Sequence, residues 1–383
     1  MKKFSLLATL ILPLAFATPA ITHAAPTPDN VALEKNTAAP LVPGREYMVV
    51  ANHPNLLHVL DLVSNRVLKT CALPDAFGPG SIQIAPDRRI AYLLNNRFGS
   101  IYGIELDACK LVFKADMALQ KDERAKSFFS IAVSQDGREL YTVQNPTLLL
   151  KDHYEVGEPR LAVYDTAAGL NAKPERLFPA PRQTTIMQTG EDGALYILGA
   201  DLYKVDVTNG KTEVVLPVRD WGRPGYGAPD VLYAWPIQTP RREFMVLYTA
   251  PRFQDEKQDL EHAEYKYGLL SLDLKTGKTE VRDFTTLSEI YFSGIRSPKD
   301  GNLLFSVLNG LRKFDIAAER QIGSADLDHA YYQTSISHDG RRLYLSGTLN
   351  DVAVFDTDSL KRITTIRLPG GDMSLGTAQV FIR

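Results

Sequence analysis

The reactive side chains of this chain do not assemble into any signature for chemistry. No Gly-x-Ser-x-Gly, His-Glu-x-x-His or P-loop motif occurs in its 383 residues, so serine hydrolysis, zinc-protease chemistry and phosphate-loop hydrolysis have no visible machinery. Seven histidines, one of them in the N-terminal segment, show no metal-ligand spacing; His53 and His58 fall on one strand hairpin and are expected to face solvent. The charge-dense stretch from Asp255-Glu256 to Glu264 lacks the Asp/Asn/Gly pattern of a calcium loop and reads as a solvated loop. Cys71 and Cys109 are the two cysteines. Such a pair is neither a metal framework nor the Cys-x-x-Cys-His of an attached haem, so its options are a disulfide or two thiols. No catalytic residue, cofactor or metal is assigned to this chain. What remains for it is binding.

The N-terminus bears on the cysteines. Met1-Lys2-Lys3 is a short basic region, Phe4 to Ala17 an apolar run too short for a comfortable membrane span, and Ala24 the small residue a signal peptidase tolerates. The expectation is a signal peptide over residues 1–24, cleaved rather than retained as an anchor, and a flexible Pro/Ala/Thr-rich leader over 25–44. No later stretch is apolar enough to span a bilayer. The mature chain is then periplasmic and free of the membrane, a setting in which a Cys71–Cys109 bridge is chemically allowed. Lys plus Arg total 43 against 45 Asp plus Glu, a net charge of −2. That balance, with no local basic run, excludes nucleic acid as a partner.

The elements that must position any binding surface are set by a repeat. A short apolar strand ending in an acidic turn recurs at Asp61, Asp107, Asp165, Asp206, Asp273, Asp315 and Asp356, spaced by 46, 58, 41, 67, 42 and 41 residues. That period belongs to the four-stranded blades of a propeller. A second marker lies between strand-like runs at Pro86-Asp87-Arg88, Gln135-Asp136-Gly137, Glu191-Asp192-Gly193, Lys299-Asp300-Gly301 and His338-Asp339-Gly340. Asp-Gly suits tight hairpins, and Thr239-Pro240-Arg241 fills the same slot in the fifth blade. The fold class predicted is all-β, a seven-bladed propeller over residues 45–383. Its C-terminal strand, Ser374 to Phe381, pairs beside Tyr47 to Ala51 in blade 1 and removes an exposed edge.

With strands A to D running outward from the axis, the A–B and C–D turns share one face, and the B–C and D–A connections share the other. The long insertions all belong to the second set: 145–160 and 251–267 as B–C loops, 116–127, 178–184 and 217–229 as D–A connectors. Long loops in a compact domain are commonly functional, so this face is the expected binding side. Residues at the starts of the innermost strands would rim the channel there: Lys126, Ser127, Phe128 and Phe129, then Arg182, Pro229 and Asp230, then Tyr291 and Phe292, then His329, Tyr331, Tyr332 and Met373. An aromatic mouth is the composition of a protein interface; packing between blades is the plainer role for any one of these rings.

Several segments, some of them inside the insertions, resemble the β subunit of quinohemoprotein amine dehydrogenase. They are Glu123 to Phe129, His153 to Val156 leading to Val163-Tyr164-Asp165, Ala180 to Thr184, Pro229 to Leu232 with Trp235, Tyr265 to Gly268, Ile290 to Ser293 and His329 to Tyr332. The resemblance spans essentially all of the chain after the leader. It implies a periplasmic heterotrimer. A dihaem cytochrome c α subunit carries haem c, a small γ subunit carries cysteine tryptophylquinone and the catalytic carboxylate, and the propeller walls the cavity where a primary amine is oxidised to aldehyde and ammonia. It implies no catalytic residue at a numbered position here. Two other readings stay open. Tyr141-Thr142-Val143-Gln144-Asn145 is similar to the repeat of stand-alone YVTN-type propellers, and a lactonase-like propeller would need acidic and Asn residues around a channel metal.

Overall fold

The computed structural model describes residues 39–75, 78–231 and 238–383, leaving aside the side chains of residues 374–377. The expected signal peptide, most of the leader, Leu232 and Trp235 lie outside these residues. Seven antiparallel sheets form the molecule, and the one helical turn among the described residues is Gly169–Asn171. From blade 1 to blade 7 the innermost strands are Met373–Ile382, Gly80–Ile84, Ala132–Val133, Ile186–Thr189, Asp230–Val231, Ser293–Arg296 and Gln333–Ile336.

The sheets stack face to face, so both sides of the inner strands are covered and simple alternation is lost. Every residue of Gly80–Ile84 is buried, whereas the outermost strand Arg320–Asp326 is exposed or half-buried throughout. Among the described residues seven apolar cores each bridge two neighbouring blades. The first joins Tyr47 and Val49 to Ile82 and Ile84. The last joins Tyr344 and Val354 of blade 7 to Met48 and Val50 of blade 1, which closes the ring.

Closure is made by both ends of the chain. Glu46 to Val50 pair with Ile382 back to Ala378, Tyr47 opposite Phe381, and the Gly44 N–H donates to the Arg383 carbonyl at 2.8 Å. Asp107 of blade 2 accepts from the Leu41 N–H at 2.8 Å and the Arg383 guanidinium at 2.6 Å. Residues 41–44 are therefore fastened, not part of a free leader. A Cys71–Cys109 disulfide (S–S 2.02 Å) ties blade 1 to blade 2 beside this seam.

The repeat of turn-capping aspartates holds with one displacement. Asp165, Asp206, Asp273 and Asp356 each accept the N–H two residues on, as Asx turns do. In blade 2 that work is done by Glu105, which accepts from the N–H groups of Asp107 and Ala108; Asp107 serves the seam instead. The insertions also differ from expectation. Segment 145–160 is not a loop: strand Glu139–Leu149 overruns its sheet and pairs with both Glu123–Lys126 and Tyr154–Val156. Blade 5 is built alike, with Glu243–Arg252 against Glu264–Asp273 and the Gly227 N–H donating to the Pro251 carbonyl. Each connector is stitched to the raised hairpin beside it.

Candidate docking face

The face carrying the B–C and D–A connections is apolar for a surface. Leu119, Phe128, Leu150, Tyr154, Val156, Leu260, Tyr265, Ile290 and Leu349 are all exposed on it, against Val42, Val63, Leu170 and Ile382 at the opposite end among the described residues. Contiguous exposed apolar side chains mark interaction sites. At the channel mouth, Phe98, Phe128 and Phe129 form a ring cluster with centroids 4.8 to 6.3 Å apart. Phe292 stacks on Tyr332 at 4.6 Å. A cavity of about 520 Å³ opens between Phe98, Phe129, Tyr332, Leu349, Asp372 and Met373.

The phenylalanine cluster is held under backbone strain. Asn96, Arg97 and Phe98 in the B–C turn of blade 2, and Phe129 at the entry to blade 3, all have φ between 53° and 64°. Left-handed backbone in bulky residues costs on the order of 1–3 kcal/mol each and concentrates at functional sites. Gly80 belongs to the same arrangement: a Cβ there would lie 2.4 Å from the Phe98 ring. Sequence reading missed Phe98, because nothing in Asn-Asn-Arg-Phe-Gly distinguishes a strained aromatic turn from an ordinary one.

The residues anticipated at this rim divide into two groups. Phe128, Phe129, Phe292, Tyr332 and Met373 lie at the mouth. Tyr291 and Tyr331 are buried between blades; Tyr267 donates to the Tyr291 carbonyl at 2.8 Å. Burial pushes both phenols well above the usual range. Lys126 ends the added strand of blade 3, paired opposite Asn145, and so is not at the start of an innermost strand. Ser127 is fully buried, donating to Ser130. Arg182 is exposed and donates to the Gly157 carbonyl of the raised hairpin at 2.9 Å. Asp230 is exposed at the head of its strand. His53 is exposed as expected, but His58 is fully buried. Its Nε2 lies 2.8 Å from Asn52 Oδ1 and its Nδ1 2.9 Å from Thr70 Oγ1, and burial pushes its pKa down to about 4.

Two charged knots anchor the connectors. Arg223 binds Asp283 through two hydrogen bonds of 2.7 and 2.9 Å, with Tyr226 and Tyr248 donating to the same carboxylate. Burial would raise the Asp283 pKa, yet these donors hold it below the usual carboxylate range. Asp328, His329 and Asp351 bring ligand-type atoms within 4.8 Å of one another. Their charge is already answered by Arg362 on Asp328, at 2.7 and 2.9 Å, and Arg367 near Asp351, at 3.5 Å. This is an ion-pair knot and not a vacant ligand set.

Fold and surface together define a seven-bladed β-propeller with one apolar, aromatic-lined end. No protein-family model matches the sequence, and no curated protein matches it. Solved structures share the fold. Hydrazine synthase of Kuenenia stuttgartiensis is similar at a TM-score of 0.56 and 13% identity, over 86% of this chain and 99% of that one. The dihydro-heme d1 dehydrogenase NirN, in complex with DHE, gives 0.52 and 14%, over 90% and 77%. A functionally unknown protein from Desulfotomaculum acetoxidans gives 0.55 and 12%, over 87% and 98%. At such identities the likeness is one of fold.

Proposed function

We propose that this propeller is the non-catalytic scaffold of a periplasmic quinohaemoprotein amine dehydrogenase. Its apolar face would seat the quinone-bearing small subunit and the dihaem cytochrome c subunit, walling the cavity where a primary amine is oxidised. The observation that carries this reading is the concentration of exposed apolar and strained aromatic residues on one end of the disc. A second fact supports it. Several of the segments that resemble the amine dehydrogenase β subunit, among them His153 to Val156, Ala180 to Thr184 and Ile290 to Phe292, fall on the connections of that end. Among the structural neighbours the fold occurs in a dihydro-heme d1 dehydrogenase, so haem chemistry accompanies it at least in that protein.

The test is reconstitution. The chain alone should be colourless and inactive towards primary amines. Mixed with the dihaem and quinone-bearing subunits it should co-elute with them and restore amine-dependent haem reduction. A coloured, amine-oxidising single chain would overturn the reading, as would failure to associate with either subunit. Association with some other protein, without dehydrogenase activity, would favour a stand-alone binding propeller.

A further inference from the structure

The opposite end of the channel holds a second cavity, of about 440 Å³, whose lining is polar. It is walled by the A–B turns, and two of these break the pattern of the rest. In blades 3, 4 and 7 the left-handed turn position is Gly137, Gly193 and Gly340, with φ of 75°, 78° and 65°. In blades 2 and 5 the same position is Arg88 and Arg242, with φ of 62° and 53°. Glycine is the unstrained choice there, so two guanidiniums are held at a backbone cost, and both line the cavity.

The donors around it are not all used. Arg242 is engaged by Glu191 at 3.2 Å and by Gln135 Oε1 at 3.1 Å. No hydrogen bond or ion pair reaches the Arg88 guanidinium among the described residues; burial and the nearby Arg242 lower its pKa, with only Asp87 opposing. Two lining side chains more than nine-tenths buried are also unpartnered: Gln188 through Nε2 and Thr239 through Oγ1. The Arg88 guanidinium thus stands at the cavity without an acceptor, while the polar atoms of Gln188 and Thr239 lie covered behind its wall. His338, also in the lining, places its Nδ1 and its backbone N–H on Glu46 Oε1, each at 2.7 Å.

We propose that this end of the channel binds a small oxyanion, a carboxylate or phosphate group, between Arg88 and Arg242. Charge-assisted donors of this kind are what carboxylate and phosphate oxygens require. The site is independent of the docking face and of any partner seated there.

The experiment uses the full chain and two probes, inorganic phosphate and citrate, against chloride at matched ionic strength. Either oxyanion should raise the thermal midpoint saturably and give a calorimetric isotherm. Saturation by phosphate alone assigns a tetrahedral ligand, and by citrate alone a carboxylate. Arg88→Asn preserves a residue that tolerates left-handed backbone and should weaken binding at least tenfold. Its midpoint in chloride should stay unchanged or rise, because a desolvated charge beside Arg242 has gone. If phosphate and citrate act no differently from chloride, water fills the cavity and the proposal fails. It fails equally if Arg88→Asn binds as the parent does.

Discussion

At one end of the disc the strands are joined by short hairpins that repeat with little variation; at the other the same strands are joined by connections of unequal length that climb, pair with one another and expose rings. The hairpin end closes its turns with aspartates receiving N–H groups from Arg89, Arg138, Ala194, Asn302 and Arg341, satisfying the backbone within each turn. The connection end satisfies its backbone by pairing connectors to hairpins and spends its side chains on exposed apolar surface. Conformational regularity and exposed apolar surface thus lie at opposite poles, and the expectation is that each can be disturbed without the other.

The largest effect should come from loosening the connection end at its base. Arg223→Leu leaves the buried Asp283 carboxylate without its cation, and chemical denaturation should report a loss of about 3–5 kcal/mol, recovered in part when Asp283→Asn is added. Next comes the bridge between blades 1 and 2, which joins Cys71, opposite Leu57, to the C–D turn of blade 2. Replacing Cys71 and Cys109 by serine should cost about 3 kcal/mol by the same measurement, while partner binding at saturating temperature margins stays intact. Of similar size is a titration that reaches across the closing strand. His58 is neutral when folded down to about pH 4, whereas in the unfolded chain it takes up a proton near 6.5. Stability is therefore complete above about pH 6.5 and falls as pH drops towards 4, by up to about 3 kcal/mol; His58→Gln should flatten that slope. The smallest and most telling contrast concerns docking. Phe128→Ala or Tyr332→Ala should weaken subunit binding by about 2 kcal/mol, and Arg138→Ala on the hairpin end by less than about 0.5 kcal/mol. Equal losses at both ends would abolish the distinction between them.

The propeller was legible because its signals are local and repeated. An acidic residue that caps a turn must occur once per blade whatever surrounds it, and the closing strand betrays itself as the one left over. What failed to show in advance depended on contacts between distant residues. Glu105 is the cap of blade 2 because it, opposite Ile90, holds the strand-end position that Asp165 holds opposite Glu139, and Asp107, two residues further on, is free to bind Leu41 and Arg383 far along the chain. His58 is buried because Asn52 and Thr70 accommodate both ring nitrogens, which no local pattern encodes. The insertions read as loops since Asn145 to Leu149 carries the composition of neither a clean strand nor a turn; pairing with Glu123–Lys126 decides it. Of the rim residues, those two positions before an innermost strand, Tyr291 and Tyr331, turn into the blade interface, and their neighbours Phe292 and Tyr332, one position before it, turn to the mouth. The two-residue period of an extended chain separates them once the register is known.

The raised hairpins of blades 3 and 5 have one more consequence. A wheel of near-identical spokes offers a visitor seven equivalent ways to sit down. Tall rims on two spokes, flanking a fourth blade whose connection is only Gly199-Ala200-Asp201 long, give the wheel a notch. On the proposed reading, a subunit placed against this end would meet a keyway that favours one angular setting, and the height of two hairpins would set its rotation about the channel.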